Sequence, residues 1–179
     1  MVGYTWSLGG NPYSCDILTV MEKMPHEAQG KTSVVHERVR WADVDLVGIM
    51  RYSAFTRIIE LAEQELCRDA GLPYSSLFEA PDVWLPRRKL TIEYLAPVRI
   101  DDQLEIETFV SRMGETSLTY HVDVWSAGGT LVATASLVVV CVTAAEFRKI
   151  PMTPEFRTAL APYVASPESV RAARASHIR

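Results

Sequence analysis

Arg40-Trp41-Ala42-Asp43-Val44-Asp45-Leu46-Val47-Gly48-Ile49-Met50-Arg51-Tyr52 is the stretch that decides the fold. A strand-like run ends in two carboxylates, a loop with one glycine follows, and a strongly patterned helix begins. That order sets an acid beside the start of a helix, where backbone N–H groups lack intrahelical partners and the positive end of the dipole lies. Unpaired amides with a carboxylate alongside suit the chemistry of acyl transfer, in which an oxyanion must be held while a base or nucleophile acts.

Outward from this stretch, Val34 to Trp41 alternates, with Val35, Val39 and Trp41 expected on one face and His36, Arg38 and Arg40 on the other. Such alternation marks a strand with one buried side. From Ser53 to Ala70 the period changes. Phe55, Ile58, Ile59, Ala62, Leu66 and Ala70 recur every three or four residues and define an apolar stripe. Arg57, Glu60, Glu63, Gln64, Glu65, Arg68 and Asp69 fill the remaining faces. Ser53 suits an N-cap, Gly71 suits the left-handed position past the last turn, and Pro73 forbids continuation.

Four runs of strand character follow: Val83–Leu95, with Pro86 marking an edge or bulge, then Leu104–Val110, Leu118–Trp125 and Leu131–Val142. Gly114 and Gly128-Gly129 stand where hairpin turns are required. The last run is almost wholly apolar, as expected of an interior strand covered on both faces. Pro154 to Val164 is expected to form a short helix. One long helix with a run of antiparallel strands is an α+β layout.

The chain of 179 residues, 48% hydrophobic and 22% charged, is expected to form one domain. The expected boundaries are a partly irregular N-terminal extension over 1–31, the domain over 32–164 and a flexible C-terminal tail over 165–179. Ile17 to Met21 is the only part of the extension with strand character. A net charge of −4 and no basic cluster beyond Arg87-Arg88-Lys89 argue against a nucleic-acid partner. The longest apolar run, Leu137–Val142, is too short to cross a bilayer, so no membrane role is expected. Cys15, Cys67 and Cys141 are odd in number and lack C-x-x-C spacing, which favours reduced thiols and a cytoplasmic location. No basic residue precedes Lys23 and no apolar segment of signal-peptide length follows, so secretion is not expected.

R-W-x-D-x-D-x-x-G, with an aromatic seven residues after the second Asp, resembles the front end of the hotdog-fold acyl-CoA thioesterases of the 4-hydroxybenzoyl-CoA thioesterase type. The resemblance covers roughly Val34 to Tyr163. It implies a hotdog fold: one long central helix wrapped by a curved antiparallel sheet of five to six strands. It also implies hydrolysis of an acyl-CoA thioester, with no cofactor beyond the coenzyme A of the substrate and no metal. By this similarity Asp45 falls on the catalytic carboxylate, Tyr52 on the backbone N–H that polarises the thioester carbonyl, and Gly48 on a loop glycine close to the ligand. Glu60 matches an acidic position common on the helix face, and Phe55 lies where the acyl group packs. The family implies a homodimer or homotetramer with sites at the chain interface.

The chain reads Ile49-Met50-Arg51-Tyr52 where one branch has His-Val-Asn-Asn, and Ala54-Phe55 where an Asn-Tyr pair is common. The motif therefore leaves the acyl group unassigned. Two further readings stay open: a thioesterase acting on an acyl carrier protein, and a non-catalytic acyl-CoA-binding protein on the same fold.

The bland readings compete residue by residue. Asp45 alone could simply cap its loop. Asp43 reads as structural, paired with Arg40 or capping the turn, since a hard cation would need more oxygen ligands than lie nearby. Arg87 and Arg88 could grip coenzyme A phosphates, although a solvated strand face is the commoner explanation. His121 and Asp123 read as a solvent-facing pair. Cys67, inside the helix with no histidine in register, is not expected to be a nucleophile. No G-x-S-x-G elbow is present, which argues against a serine hydrolase route.

Overall fold

Extended backbone gives way to helix where the period of the apolar residues changes. The computed structural model describes residues 30–75 and 83–177, so the strand expected at Ile17–Met21 and the thiol of Cys15 lie outside the described residues. Strand β1 (Ser33–Arg38) leads through a one-turn 3-10 segment (Trp41–Asp43) to helix α1 (Tyr52–Asp69). Then come β2 (Val83–Trp84), β3 (Arg87–Tyr94), β4 (Gln103–Met113), β5 (Ser117–Ser126), β6 (Leu131–Val140) and β7 (Val142–Thr143). Two helices, α2 (Pro154–Leu160) and α3 (Pro167–His177), follow.

The main sheet is five-stranded in the order β1-β4-β5-β6-β3, and every pairing in it is antiparallel. The strands expected from the alternation are present, and Pro86 does split the Val83–Leu95 run, separating β2 from β3. β2 instead pairs with β7 in a small second ladder. On β5, Leu118, Tyr120, Val122 and Val124 are buried against α1, whose own stripe of Phe55, Ile58, Ile59, Ala62 and Leu66 is buried with them in one core. Burying a side chain of that size stabilises by about 1.5–3 kcal/mol, which is what holds an 18-residue helix inside the sheet's curve.

The helix ends as its sequence requires. Gly71 takes φ +76°, the Leu72 amide donates to Cys67 at 2.8 Å and the Gly71 amide to Arg68 at 2.9 Å. This pair of bonds satisfies carbonyls that the last turn would otherwise leave open. The start differs from expectation. Arg51, not Ser53, is the N-cap, with an extended backbone and no side-chain cap. The Met50 amide donates to Val98 and the Arg51 amide to Asp43, both at 2.8 Å, and these bonds pin the chain extended up to Tyr52. Ser53 is then already the second helical residue.

Three other expectations are corrected. Trp41 does not continue the buried face of β1, because the Val39 carbonyl turns to the Asp101 amide and the chain leaves the sheet. Trp41 is 82% exposed. The residues expected to form a flexible tail instead include α3, whose Val170 is buried and whose arginines bind the outer face of the sheet. His121 and Asp123 are not solvent-facing: α3 covers them, and Asp123 is 0% exposed.

Asp123 is held by three contacts, one of them from a ring that Thr134 also meets. Arg171 donates to both carboxylate oxygens at 2.7 Å, and the His121 ring lies 3.1 Å from Oδ1 and 3.1 Å from the Thr134 hydroxyl. Burial alone would raise the Asp123 pKa, but the Arg171 and His121 contacts more than reverse it and hold the group well below the usual carboxylate range. Arg174 adds a second clasp, pairing with Glu105 and stacking its guanidinium over Trp125 at 4.5 Å.

Candidate active site

The loop between the 3-10 segment and α1 closes on itself. The Asp45 amide donates to the Ile49 carbonyl at 2.9 Å and the Gly48 amide to the Asp45 carbonyl at 3.0 Å. Gly48 sits at φ +78°, a conformation that side chains with a Cβ resist. Val44 and Met50 bridge across the base of the loop. Below it, Asp43 is buried and accepts from the Arg40 amide and from Arg57 of α1, both at 3.0 Å. Asp43 is therefore the structural acid of the pair, as expected, but the guanidinium that meets it is Arg57's, not Arg40's.

Asp45 fits the capping reading given to it. Its Oδ1 accepts from the Val47 amide at 2.9 Å and, more weakly, from the Ile49 amide at 3.4 Å, so it does cap its loop. Its Oδ2 has no partner among the described residues, and the side chain borders a cleft of about 330 Å³. Arg51, Tyr52, Phe55, Tyr94 and Pro97 border the same cleft. Asp45 and the first turn of α1 thus border one cleft. Because the cap is an extended Arg51 with no side-chain acceptor, the Tyr52 and Ser53 amides take no protein acceptor among the described residues.

The aromatic wall of the cleft is a ring pair. Phe55 and Tyr94 meet edge to face with centroids 5.1 Å apart, and the Tyr94 hydroxyl donates to the Tyr52 carbonyl at 3.4 Å. Gly48 does not border the cleft; the structure gives it the turn instead. Arg51 reaches back to donate to the Ala42 carbonyl and ties the helix start to the 3-10 segment. Nothing in the sequence period identifies Arg51 or Tyr94, since both owe their place to segments that meet only in the fold.

Arg87 lies away from this cleft and already has a partner. It donates to Glu63 Oε2 at 2.9 Å from Nη2 and 3.2 Å from Nε, and Glu63 Oε1 accepts from the Tyr74 hydroxyl at 2.7 Å. Glu63, expected on a face of α1 outside its apolar stripe, is 2% exposed. A carboxylate that buried is tolerable only because its oxygens are matched by these donors. Arg88, by contrast, is exposed on β3 and has no side-chain partner among the described residues. Burial pushes the Cys67 thiol up to about 11, which makes it a poor nucleophile at neutral pH. Among the described residues no group of His, Cys, Asp and Glu side chains is arranged to hold a metal ion, and no helix is long and apolar enough to cross a membrane.

A relative from Escherichia coli, named acyl-CoA thioester hydrolase YbgC, is 36% identical over 105 residues, covering 59% of this chain and 78% of its own. A second, the 1,4-dihydroxy-2-naphthoyl-CoA hydrolase of Acaryochloris marina, is 25% identical over 122 residues, covering 67% of this chain and 89% of its own. Among solved structures, the 1,4-dihydroxy-2-naphthoyl-CoA thioesterase Slr0204 from Synechocystis superposes with a TM-score of 0.69 at 21% identity, covering 73% of this chain and 96% of that one. The hotdog fold expected from the sequence is thus the fold observed. The profile described as the thioesterase-like superfamily matches residues 39–160, a span that takes in the Asp45 loop, α1 and the whole sheet from β3 onward, and the chain belongs to that superfamily.

Proposed function

We propose that this protein hydrolyses an acyl-CoA thioester in the cleft between Asp45 and the start of α1. The observation that carries this is the shared cleft: one acid with an oxygen that has no partner among the described residues borders the same space as a helix start whose first amides have no acceptor among them. The names of the relatives supply the substrate class.

The chemistry follows from the groups present. Asp45 Oδ2 takes a proton from a water, and the hydroxyl oxygen bonds to the thioester carbonyl carbon. The carbonyl oxygen becomes an oxyanion that accepts from the Tyr52 amide, aided by the helix dipole. When the oxyanion collapses the C–S bond breaks, coenzyme A leaves as its thiolate, and the proton held by Asp45 returns to the sulfur or to solvent. The bonds from the Val47 and Ile49 amides keep the Asp45 side chain from rotating away. Phe55 gives the acyl group an apolar wall.

The working assembly in this reading is a dimer at least. β3 is the last strand of the sheet, and seven of its eight residues are exposed. An exposed edge of that length invites pairing. Antiparallel pairing of β3 with its copy would bring Arg88 of each chain toward the Tyr94 end of the other, where it could meet a coenzyme A phosphate. The buried thiols Cys67 and Cys141, which stand unpaired, support a reducing, cytoplasmic setting.

The direct test is Asp45→Asn assayed on acyl-CoA substrates with a thiol-reactive dye. Asn retains Oδ1 and its two loop bonds, so the melting temperature should hold while kcat/KM falls about 10²- to 10⁴-fold, the range for loss of a general base. Parental rates in the variant would overturn the assignment. Single turnover in ¹⁸O-water separates base from nucleophile, since only a nucleophilic Asp45 would itself take up label.

A further inference from the structure

A second cleft of about 330 Å³ lies beside the first, bordered by Thr56, Ile59, Glu63, Arg87 and Leu90 among others. Their linings follow one another along the same two elements, α1 and β3. On α1, residues 52, 55, 56, 59 and 63 recur at spacings that keep them on one face. On β3, Tyr94, Ile92 and Leu90 share one side of the strand, and Ile92 packs against the core, so Tyr94 and Leu90 both point toward the helix side. Tyr52, Phe55 and Tyr94 border the first cleft, while Thr56, Ile59 and Leu90 border the second. What stands at the junction is the Phe55–Tyr94 ring pair, locked edge to face and tethered to the helix by the Tyr94 hydroxyl.

We infer that the Phe55–Tyr94 pair is the length stop of the acyl compartment, confining the acyl group to the first cleft and closing off the second. The inference rests on the reading that Asp45 and Tyr52 flank the thioester. At about 1.5 Å of rise per residue, Phe55 lies roughly 4.5 Å along the helix from Tyr52, and Glu63 a further ~12 Å. An extended chain gains roughly 1.2 Å per bond, taken from the 3.3–3.6 Å a backbone gains over three bonds, so the second cleft has room for about ten more carbons. With the pair in place, the acyl group is short, or a single ring. Beyond the pair the walls are apolar at Ile59, Leu90 and Leu137 and then end at the Glu63–Arg87 ion pair, whose carboxylate is buried and whose guanidinium water reaches, and which an alkyl terminus would not enter without desolvating it.

The experiment compares the parent with Tyr94→Ala and Tyr94→Phe. One arm measures kcat/KM on straight-chain acyl-CoA substrates from two to sixteen carbons. A second measures calorimetric binding of non-hydrolysable butyl- and decyl-CoA thioethers. Tyr94 is 48% exposed, so losing its ring leaves most of the core intact. In Tyr94→Ala the ten-carbon to four-carbon ratio of kcat/KM should rise at least tenfold, with no comparable gain at sixteen carbons. Tyr94→Phe, which keeps the ring and loses only the hydroxyl, should retain the parental cut-off. A parent that takes decanoyl as well as butanoyl, or an alanine variant that scales every length alike, overturns the length stop. If the thioethers show the cut-off and its relief while no thioester is cleaved, the stop stands and the hydrolase reading falls. If thioesters are cleaved with no change in length preference, the reverse holds.

Discussion

Replacing Arg171 by Leu tests whether α3 is part of the domain. Leu preserves the apolar stem that packs along the sheet while deleting the guanidinium. What remains is the Asp123 carboxylate, 0% exposed, having lost two bonds of 2.7 Å and keeping only His121 and Thr134 nearby. Removing one partner of a buried ion pair costs about 3–5 kcal/mol, mostly as the desolvation of the charge left behind. Arg171 itself is 37% exposed, so water reaches its head group and the low end, about 3 kcal/mol, applies. For a chain of this size each kcal/mol lowers the melting temperature by roughly 2–4 °C, which gives a fall of about 6–12 °C. Thermal unfolding followed by circular dichroism at pH 7 reads it directly. Asp123→Asn combined with Arg171→Leu should recover part of the loss, because no charge is then buried. A fall under about 2 °C in the single variant would refute the reasoning and return α3 to the status of a loosely attached tail.

The same carboxylate sets a pH dependence. Because its folded-state pKa is held below the unfolded value of about 3.9, the stability it contributes is present above that value and is lost as pH falls below it. The difference in melting temperature between the parent and Asp123→Asn should therefore be constant from pH 7 to 5 and shrink below about pH 4. Gly48→Ala forces a left-handed backbone on a residue with a Cβ, so stability should drop by about 1–2 kcal/mol, and turnover should fall with it because the loop also holds Asp45. In a Cys15→Ser background, Cys67 and Cys141 should resist alkylation at pH 8 in the native state and react rapidly in denaturant, since both are buried and burial raises both thiols. Rapid native labelling, followed by mass spectrometry, would contradict their placement in the core.

Much of the fold was legible because two periods are hard to mistake. Phe55, Ile58, Ile59, Ala62 and Leu66 repeat with the helical period, and Gly71 with Pro73 closes the helix. The alternations around β4 and β5 name the residues that face α1. Long-range bonds override local preference at Ser53, Glu63 and Asp123. Ser53 has the chemistry of a cap, yet backbone bonds to Asp43 and Val98 put the cap two residues earlier, at Arg51. Glu63 looked like surface until Arg87 and Tyr74, from other segments, supplied its partners. Asp123 looked like a polar strand position until a helix some fifty residues later covered it. Polar side chains carry no periodic signal of their burial, because what permits burial is a partner distant in sequence.

The candidate site divides along the same line. Asp-x-Asp, the loop glycine and the helix start are contiguous, so a single stretch of sequence was enough to set an acid next to open amides. That much is local geometry: a turn of fixed length places Asp45 within a few residues of Tyr52 whatever the rest of the chain does. The cleft itself is not local. Its far wall is Tyr94 with the segment after it, brought to α1 only because β3 takes the outer place in the sheet. Whatever enters the cleft is met there, where side chains from separate segments close around a shared space.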